Sequence, residues 1–188
     1  KYRNIGQSVG KTDAMPLATG NAKFTEDYRL DNYLRVSILR SPHAHARIKN
    51  IDISEAKAMK GVVDILTHKE VDKVYFTTAG QGTPEPSPYD TLLFDDVVRY
   101  AGDFVAMVAA ESSEIAEEAT RKIKVEYEQL ETVFEPERAM DKGVIPIHDK
   151  DEYFPIPVPY KPKENLASQV DFSIGDVEKG FQQADHVM

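Results

Sequence analysis

VRYAGDFVAMVAAESSEIAEEATRKIKVEYE, residues 98–128, sets strand, helix and strand patterns side by side in one run. Ser112 or Ser113 stands where a helix N-cap is needed, and Ile115, Ala116, Ala119 and Ile123 then fall on one face at helical spacing. Glu117/Arg121 and Glu118/Lys122 are acid-before-base pairs four residues apart, the order that supports an exposed helix face. The pattern then changes period: Ile123, Val125 and Tyr127 alternate with Lys124, Glu126 and Glu128, as in a half-buried strand. Upstream, Val97–Tyr100 and Phe104–Ala109 read as strands, and Ala101-Gly102-Asp103 between them predicts a hairpin or near-hairpin.

Working toward the N-terminus, Leu34, Val36 and Ile38 alternate with Arg35 and Ser37, which predicts a strand with those three on its buried face. A second strand is expected from about Ala46 to Ile53, with a bulge near Asn50 where the apolar alternation slips. Ser54 is expected to cap a helix of under two turns ended by Gly61, before a strand at Val62–Leu66. Thr67 and Glu70 have capping-box spacing, so a helical turn is expected there. Residues 79–90, with three prolines and two glycines, read as a loop.

The remaining sequence divides by composition. Residues 1–31 read as an irregular arm, with Pro16 opposing a helix, and residues 32–141 as the main domain. Pro136 marks a short helix start. Residues 142–168 are proline-rich without periodicity and read as a connector lacking its own core. Residues 169–188 read as a turn, a short helix and a strand cut short, the truncated start of a following domain. The first residue is Lys rather than Met, which fits an excised or processed piece.

The 188 residues carry a net charge of −9, so neither a nucleic acid nor an anionic membrane surface is expected as a partner. No apolar run approaches the roughly 18–20 residues that span a bilayer. Cysteine is absent, so the chain has no thiolate for an iron–sulfur cluster and no disulfide, which fits a cytoplasmic setting. Gly6-Gln-Ser-Val-Gly10-Lys11-Thr12 falls one residue short of a phosphate loop and lacks a preceding strand. Gly80-Gln-Gly82 is shorter than a dinucleotide fingerprint. His43 and His45 are spaced for one side of a strand, but a metal needs further ligands, and hydrogen-bonded structural imidazoles are the simpler reading. Asp95-Asp96 and Glu117-Glu118 are adjacent acids pointing different ways, and read as solvated faces rather than acid/base dyads. The residues alone therefore predict a soluble α+β domain with no catalytic, cofactor-binding or metal-ligating residue.

Four ordered stretches carry a resemblance. They are Val9-Gly-Lys-Thr-Asp-Ala14 with Thr19-Gly-Asn-Ala-Lys-Phe-Thr-Glu-Asp27; Arg40-Ser-Pro-His-Ala-His-Ala-Arg-Ile48 with Ile51-Asp-Ile-Ser54 and Gly61-Val-Val63; the 98–128 run; and Gly175-Asp-Val177 with Gly180-Phe181 and Ala184-Asp-His-Val187. In this order they resemble the N-terminal α/β hammerhead segment of the large, molybdopterin-binding subunit of the xanthine dehydrogenase/aldehyde oxidase family of molybdenum hydroxylases. Lys11 and Phe24 are conservative departures, and Asp103 stands where the family commonly has Gln.

The resemblance implies a mixed or antiparallel sheet with short helices packed on it. It also implies a molybdopterin cofactor with molybdenum on downstream molybdopterin-binding domains, and [2Fe-2S] clusters and FAD on other domains or subunits. The full assembly would hydroxylate purines, N-heterocycles or aldehydes with water as oxygen source. The activating glutamate would come from later in the subunit, so these 188 residues alone would be inactive. Ser41, Pro42, His43, His45, Arg47, Gly102, Asp103 and Phe104 become structural-signature and interdomain candidates. A free-standing adaptor module that reuses the fold is the alternative.

Overall fold

The computed structural model describes residues 5–28, 30–78, 80, 82, 87–149 and 160–187, so half of the loop expected over 79–90 lies outside the described residues. Two units divide between Leu34 and Arg35. The first contains helix α1 (Ala14–Ala18), contrary to the expectation that Pro16 would prevent one. Pro16 occupies the first turn, where a backbone N–H has no intrahelical acceptor, so its missing donor costs nothing. Thr19 closes the helix by donating its hydroxyl to the Met15 carbonyl at 2.8 Å. Lys11 is paired with Asp13 at 3.2 Å, both largely exposed.

The second unit is built on two three-stranded antiparallel sheets. Its elements in chain order are β1 (Arg35–Arg40), β2 (Ala46–Asp52), α2 (Ser54–Lys57), β3 (Val62–Thr67), β4 (Val97–Val98), β5 (Phe104–Ala110), α3 (Ser113–Lys122), β6 (Lys124–Gln129) and α4 (Val177–Gln183). One sheet runs β1-β5-β3 and the other β4-β2-β6. This is an α+β arrangement with short helices, as expected.

β5 is central because its sequence, Phe-Val-Ala-Met-Val-Ala-Ala, is apolar on both faces. Ala106, Val108 and Ala110 face the core, and α3 lays Ala116 and Ala119 close to the sheet, where small side chains allow close approach. The core continues into the second sheet through Ile48, Ile51 and Val98. The α3 prediction holds in detail: Ser112 is the N-cap, accepting from the Ile115 N–H at 3.3 Å, and both acid–base pairs form at 3.3–3.4 Å. β6 follows with half-buried Val125 and Tyr127, and a 3-10 turn begins at Pro136. The register shift in β2 lies between Ile48 and Asn50, where the bulge was expected.

Four expectations are corrected. β1 forms, but with the opposite face inward: Val36 is 54% exposed, while Leu39 packs on the core because it stands opposite Ala106. Ser54 is the first residue of α2 rather than its cap, and Asp52 accepts the Ser54 N–H instead. Thr67 and Glu70 do bond one another, yet residues 68–70 form a turn, not a helix, because the threonine hydroxyl accepts from Lys69 rather than from Glu70. Its hydroxyl holds the Glu70 carboxyl below the usual carboxylate range. The fourth correction concerns the predicted hairpin. β4 and β5 belong to different sheets, so residues 99–103 are a corner between sheets rather than a hairpin turn.

Gly61 adopts φ +90°, and a Cβ there would lie 2.8 Å from Ile115 Cδ1 of α3. Gly61→Ala is therefore expected to cost at least about 1–2 kcal/mol from the left-handed backbone alone, read as a lower urea midpoint at constant slope. An unchanged midpoint would show that α2 and β3 do not need this conformation.

Candidate functional site

The corner at residues 99–104 and the segment 40–47 meet, and they bring together most of the candidate residues. Ser41 is buried, donates its N–H to the Asp103 carbonyl at 2.8 Å and accepts from the Gly102 N–H at 2.8 Å. This exchange explains why β5 turns toward β1 instead of back along β4. Gly102 makes the corner at φ +99°, and the Asp103 carboxylate accepts from the Arg99 and Phe104 backbone N–H groups at 2.9 and 2.8 Å. A carboxylate satisfied by two backbone donors is a corner clamp. Arg40 crosses the same corner, donating to the Gly102 carbonyl at 2.9 Å with its guanidinium 4.6 Å from the Phe104 ring centre.

After Ser41 the chain turns. The Ser41 hydroxyl donates to the His43 carbonyl at 2.9 Å and accepts the His43 N–H at 3.0 Å. His43 and His45 thus sit in the turn before β2, not on a strand, and they diverge. The His43 ring meets Tyr127 edge-on at 4.8 Å, and burial raises the Tyr127 hydroxyl above its ordinary value. His45 is buried, and its Nδ1 donates to the Glu131 carbonyl at 2.8 Å, which makes Nδ1 the protonated nitrogen. Pro42 is exposed at the apex. Arg47 reaches Asp96 at 3.8 Å across β2 and β4, both side chains about two-fifths exposed.

A second cluster, missed by the sequence reading, lies on the other side of the corner. Asp95 was expected to be solvated; it is buried and pairs with Arg99 at 2.8 Å, with side-chain exposures of 7% and 11%. Arg99 also donates to the Ile147 and Val97 carbonyls, at 2.9 and 3.1 Å. The Tyr160 hydroxyl donates to Asp90 at 3.1 Å, and His148 Nε2 lies 3.7 Å from the same carboxylate oxygen. Burial and the Asp103 charge push the Tyr100 hydroxyl up. Asp96, Glu117 and Glu118 remain substantially exposed, as expected of solvated acids. The only sequence signal for the buried pair was the four-residue spacing of Asp95 and Arg99, read outside any helix.

Within the expected connector 142–168, the described residues Ile147, His148 and Tyr160 are tied to this cluster, and Lys161 and Leu166 form an isolated bridge. α4 is capped by Asp176, which accepts from the Lys179 N–H at 3.0 Å, and its residues are exposed throughout.

The donor set does not fit a resident metal or cluster. The chain has no cysteine, and among the described residues no group of three or more His, Asp or Glu side chains is placed to hold a metal ion. Among the described residues, no helix is long and apolar enough to cross a membrane.

Comparison with known proteins gives the fold its relatives. Residues 19–131 match the family model described as aldehyde oxidase and xanthine dehydrogenase, a/b hammerhead domain. The chain is 36% identical over 208 aligned positions to the probable hypoxanthine oxidase XdhD of Escherichia coli (strain K12), covering 98% of this chain and 22% of that protein. It is 32% identical to the nicotinate dehydrogenase large molybdopterin subunit of Eubacterium barkeri, covering 100% of this chain and 40% of that one. Among solved structures it is similar to the quinoline 2-oxidoreductase of Pseudomonas putida 86, with TM-score 0.61 and 34% identity over 75% of this chain and 18% of that chain. The reconstituted CO dehydrogenase of Oligotropha carboxidovorans aligns with TM-score 0.65 and 30% identity, over 78% and 18% respectively. The chain thus spans a minor part of the length of these relatives, and it belongs to the aldehyde oxidase and xanthine dehydrogenase family, whose hammerhead domain it carries.

Proposed function

We propose that this chain is the N-terminal hammerhead scaffold of the large subunit of a molybdenum hydroxylase acting in the cytoplasm, and that its substrate is an N-heterocycle, a purine or an aldehyde. The supporting observation is the coverage: 98% of this chain aligns with 22% of a hypoxanthine oxidase relative, so its sequence corresponds to one structural segment of a much longer enzyme. The names of the relatives, a hypoxanthine oxidase, a nicotinate dehydrogenase and a quinoline oxidoreductase, favour a nitrogen heterocycle.

In this reading the molybdopterin cofactor and the activating glutamate belong to sequence downstream of the hammerhead. [2Fe-2S] clusters and FAD on neighbouring domains or subunits would supply the route by which electrons leave. The chain's own contribution is shape. The Ser41–Gly102–Asp103 exchange and the Phe104–Arg40 contact hold the corner, and the exposed Pro42 with the half-buried His43 forms an edge for a neighbouring domain.

The test is to express residues 1–188 alone and as part of the longest polypeptide its gene encodes, and to measure metal and flavin in each. The expected result is no stoichiometric molybdenum, iron or flavin on the short chain, and molybdenum with hydroxylase activity on the assembled enzyme. Stoichiometric metal on residues 1–188, or a gene that ends at codon 188, would overturn the reading.

A further inference from the structure

After β6 the chain returns to the body of the unit, and residues 139–149 and 160–166 lie there without entering the core. None of them is buried: Val144, Ile147 and Leu166 are half-buried, and Ile145 is 42% exposed. A cleft of about 200 Å³, lined by Ala139, Ile147, Tyr160, Asn165 and Leu166, remains between them. Polar bonds therefore carry much of the attachment. The Asn165 side chain ties one stretch to the other at three points: Oδ1 accepts the Ile147 N–H at 2.8 Å, and Nδ2 donates to the Ala139 and Ile145 carbonyls at 2.8 and 3.3 Å. Asn165 itself is left-handed, φ 55°, a conformation that Asn tolerates better than most residues. Beside it Lys161 and Leu166 exchange backbone bonds at 2.9 and 3.0 Å. The Ile147 carbonyl in turn accepts from Arg99 Nε at 2.9 Å, and the Tyr160 hydroxyl donates to Asp90 at 3.1 Å, so both stretches reach the body of the unit.

We propose that residues 139–149 and 160–166 form a strap that opens and closes as one unit while the sheets stay folded, and that Asn165 is the residue that seats it. β5 can open only with the whole unit, because it pairs on both sides and its Val105 and Val108 are completely buried. A segment with no buried side chain and a cleft along it opens at lower free energy. Asn165 makes that opening cooperative, since neither stretch can leave without breaking the bonds that hold the other. Seated, the strap caps the Arg99 guanidinium and fixes the point from which residues 167–187, all exposed, leave the body. Released, the chain from Ala139 onward becomes a longer tether for whatever follows it. The strap is a property of these 188 residues and does not depend on the enzyme assignment proposed above.

The test is residue-resolved hydrogen exchange on the full 188-residue chain and on Asn165→Gly, read as protection. Glycine adopts the left-handed backbone freely, so the effect of the change belongs to the three lost side-chain bonds. The reporters are the Val144, Lys161 and Leu166 amides, which bond to backbone carbonyls and not to the Asn165 side chain. Protection at all three is expected to fall together by about tenfold or more in Asn165→Gly, while the β5 amides, which report global opening, keep theirs. No change at the three, or a loss confined to Ile147, whose N–H merely loses its acceptor, would overturn the proposal. An equal loss in β5 would overturn it too, because the strap would then be part of the global unit. Should the variant fail to fold, exchange of the unaltered chain in rising, sub-denaturing urea decides. Strap amides that converge on one common opening below that of β5 support the strap, and amides that exchange independently or only with β5 sink it.

Discussion

Asp95→Asn is expected to destabilise the second unit by about 3 kcal/mol, the lower end of the cost of breaking a buried ion pair by removing one partner. The Asp95 and Arg99 side chains are 7% and 11% exposed, so little solvent screening softens the interaction. The amide can still accept from Arg99, but the guanidinium charge would lose its carboxylate partner in a nearly dry site, keeping the Ile147 and Val97 carbonyls as hydrogen-bond acceptors. Equilibrium urea unfolding would read the change as a lower midpoint at constant slope. Replacing both partners with apolar residues of similar volume, Asp95→Leu with Arg99→Met, is expected to recover much of the loss, because no uncompensated charge remains. Glu117→Gln, which breaks the exposed pair with Arg121, serves as the control and should leave the midpoint nearly unchanged. Equal effects at Asp95 and Glu117 would show that Asp95 is no more buried than a surface acid.

The contrast between those two acids marks where the sequence stopped being readable. Glu117 and Glu118 lie on a helix, and a helix has a period: once Ile115, Ala116, Ala119 and Ile123 define the buried face, the acids must point to solvent. Asp95 lies in an irregular stretch between Phe94 and Val97, where no period assigns a face. Its partner Arg99 lies across the two-residue strand β4, at the start of the corner that carries Gly102 and Asp103. The same corner defeated the hairpin prediction. A turn of Ala-Gly-Asp fits either a hairpin or a change of sheet, and the choice is made by Ser41, some 60 residues away, through two backbone hydrogen bonds.

Local patterns fared better where they were self-contained, as in the bulge of β2, the Ser112 cap of α3 and the αL glycine before β3. Residues 41–47 were singled out as a group by the family resemblance, but their individual contacts required the fold. Only the structure separates His45, bonded to the Glu131 backbone, from His43, which lies edge-on to Tyr127.

Ile65→Ala is expected to cost about 2–5 kcal/mol, while Val63→Ala two residues earlier is expected to change stability by no more than about 0.5 kcal/mol. The sequence Val62-Val-Asp-Ile-Leu66 offers two apolar positions to either face and does not choose between them. The fold does. A register shift between Val62 and Asp64 leaves Val63 56% exposed, and downstream of it Ile65 stands opposite Val108 at 2% exposure. Val108 belongs to the central strand and is itself completely buried, so the backbone around a truncated Ile65 is held by pairing on both sides of β5 and cannot collapse into the space. The loss should therefore combine the transfer of three methyl or methylene groups with a residual cavity, which places it above the cost of transfer alone. Thermal and urea unfolding of the two variants would measure the difference. Similar losses at positions 63 and 65 would mean that both faces of β3 are covered in solution, and would overturn the inward orientation assigned here to Ile65.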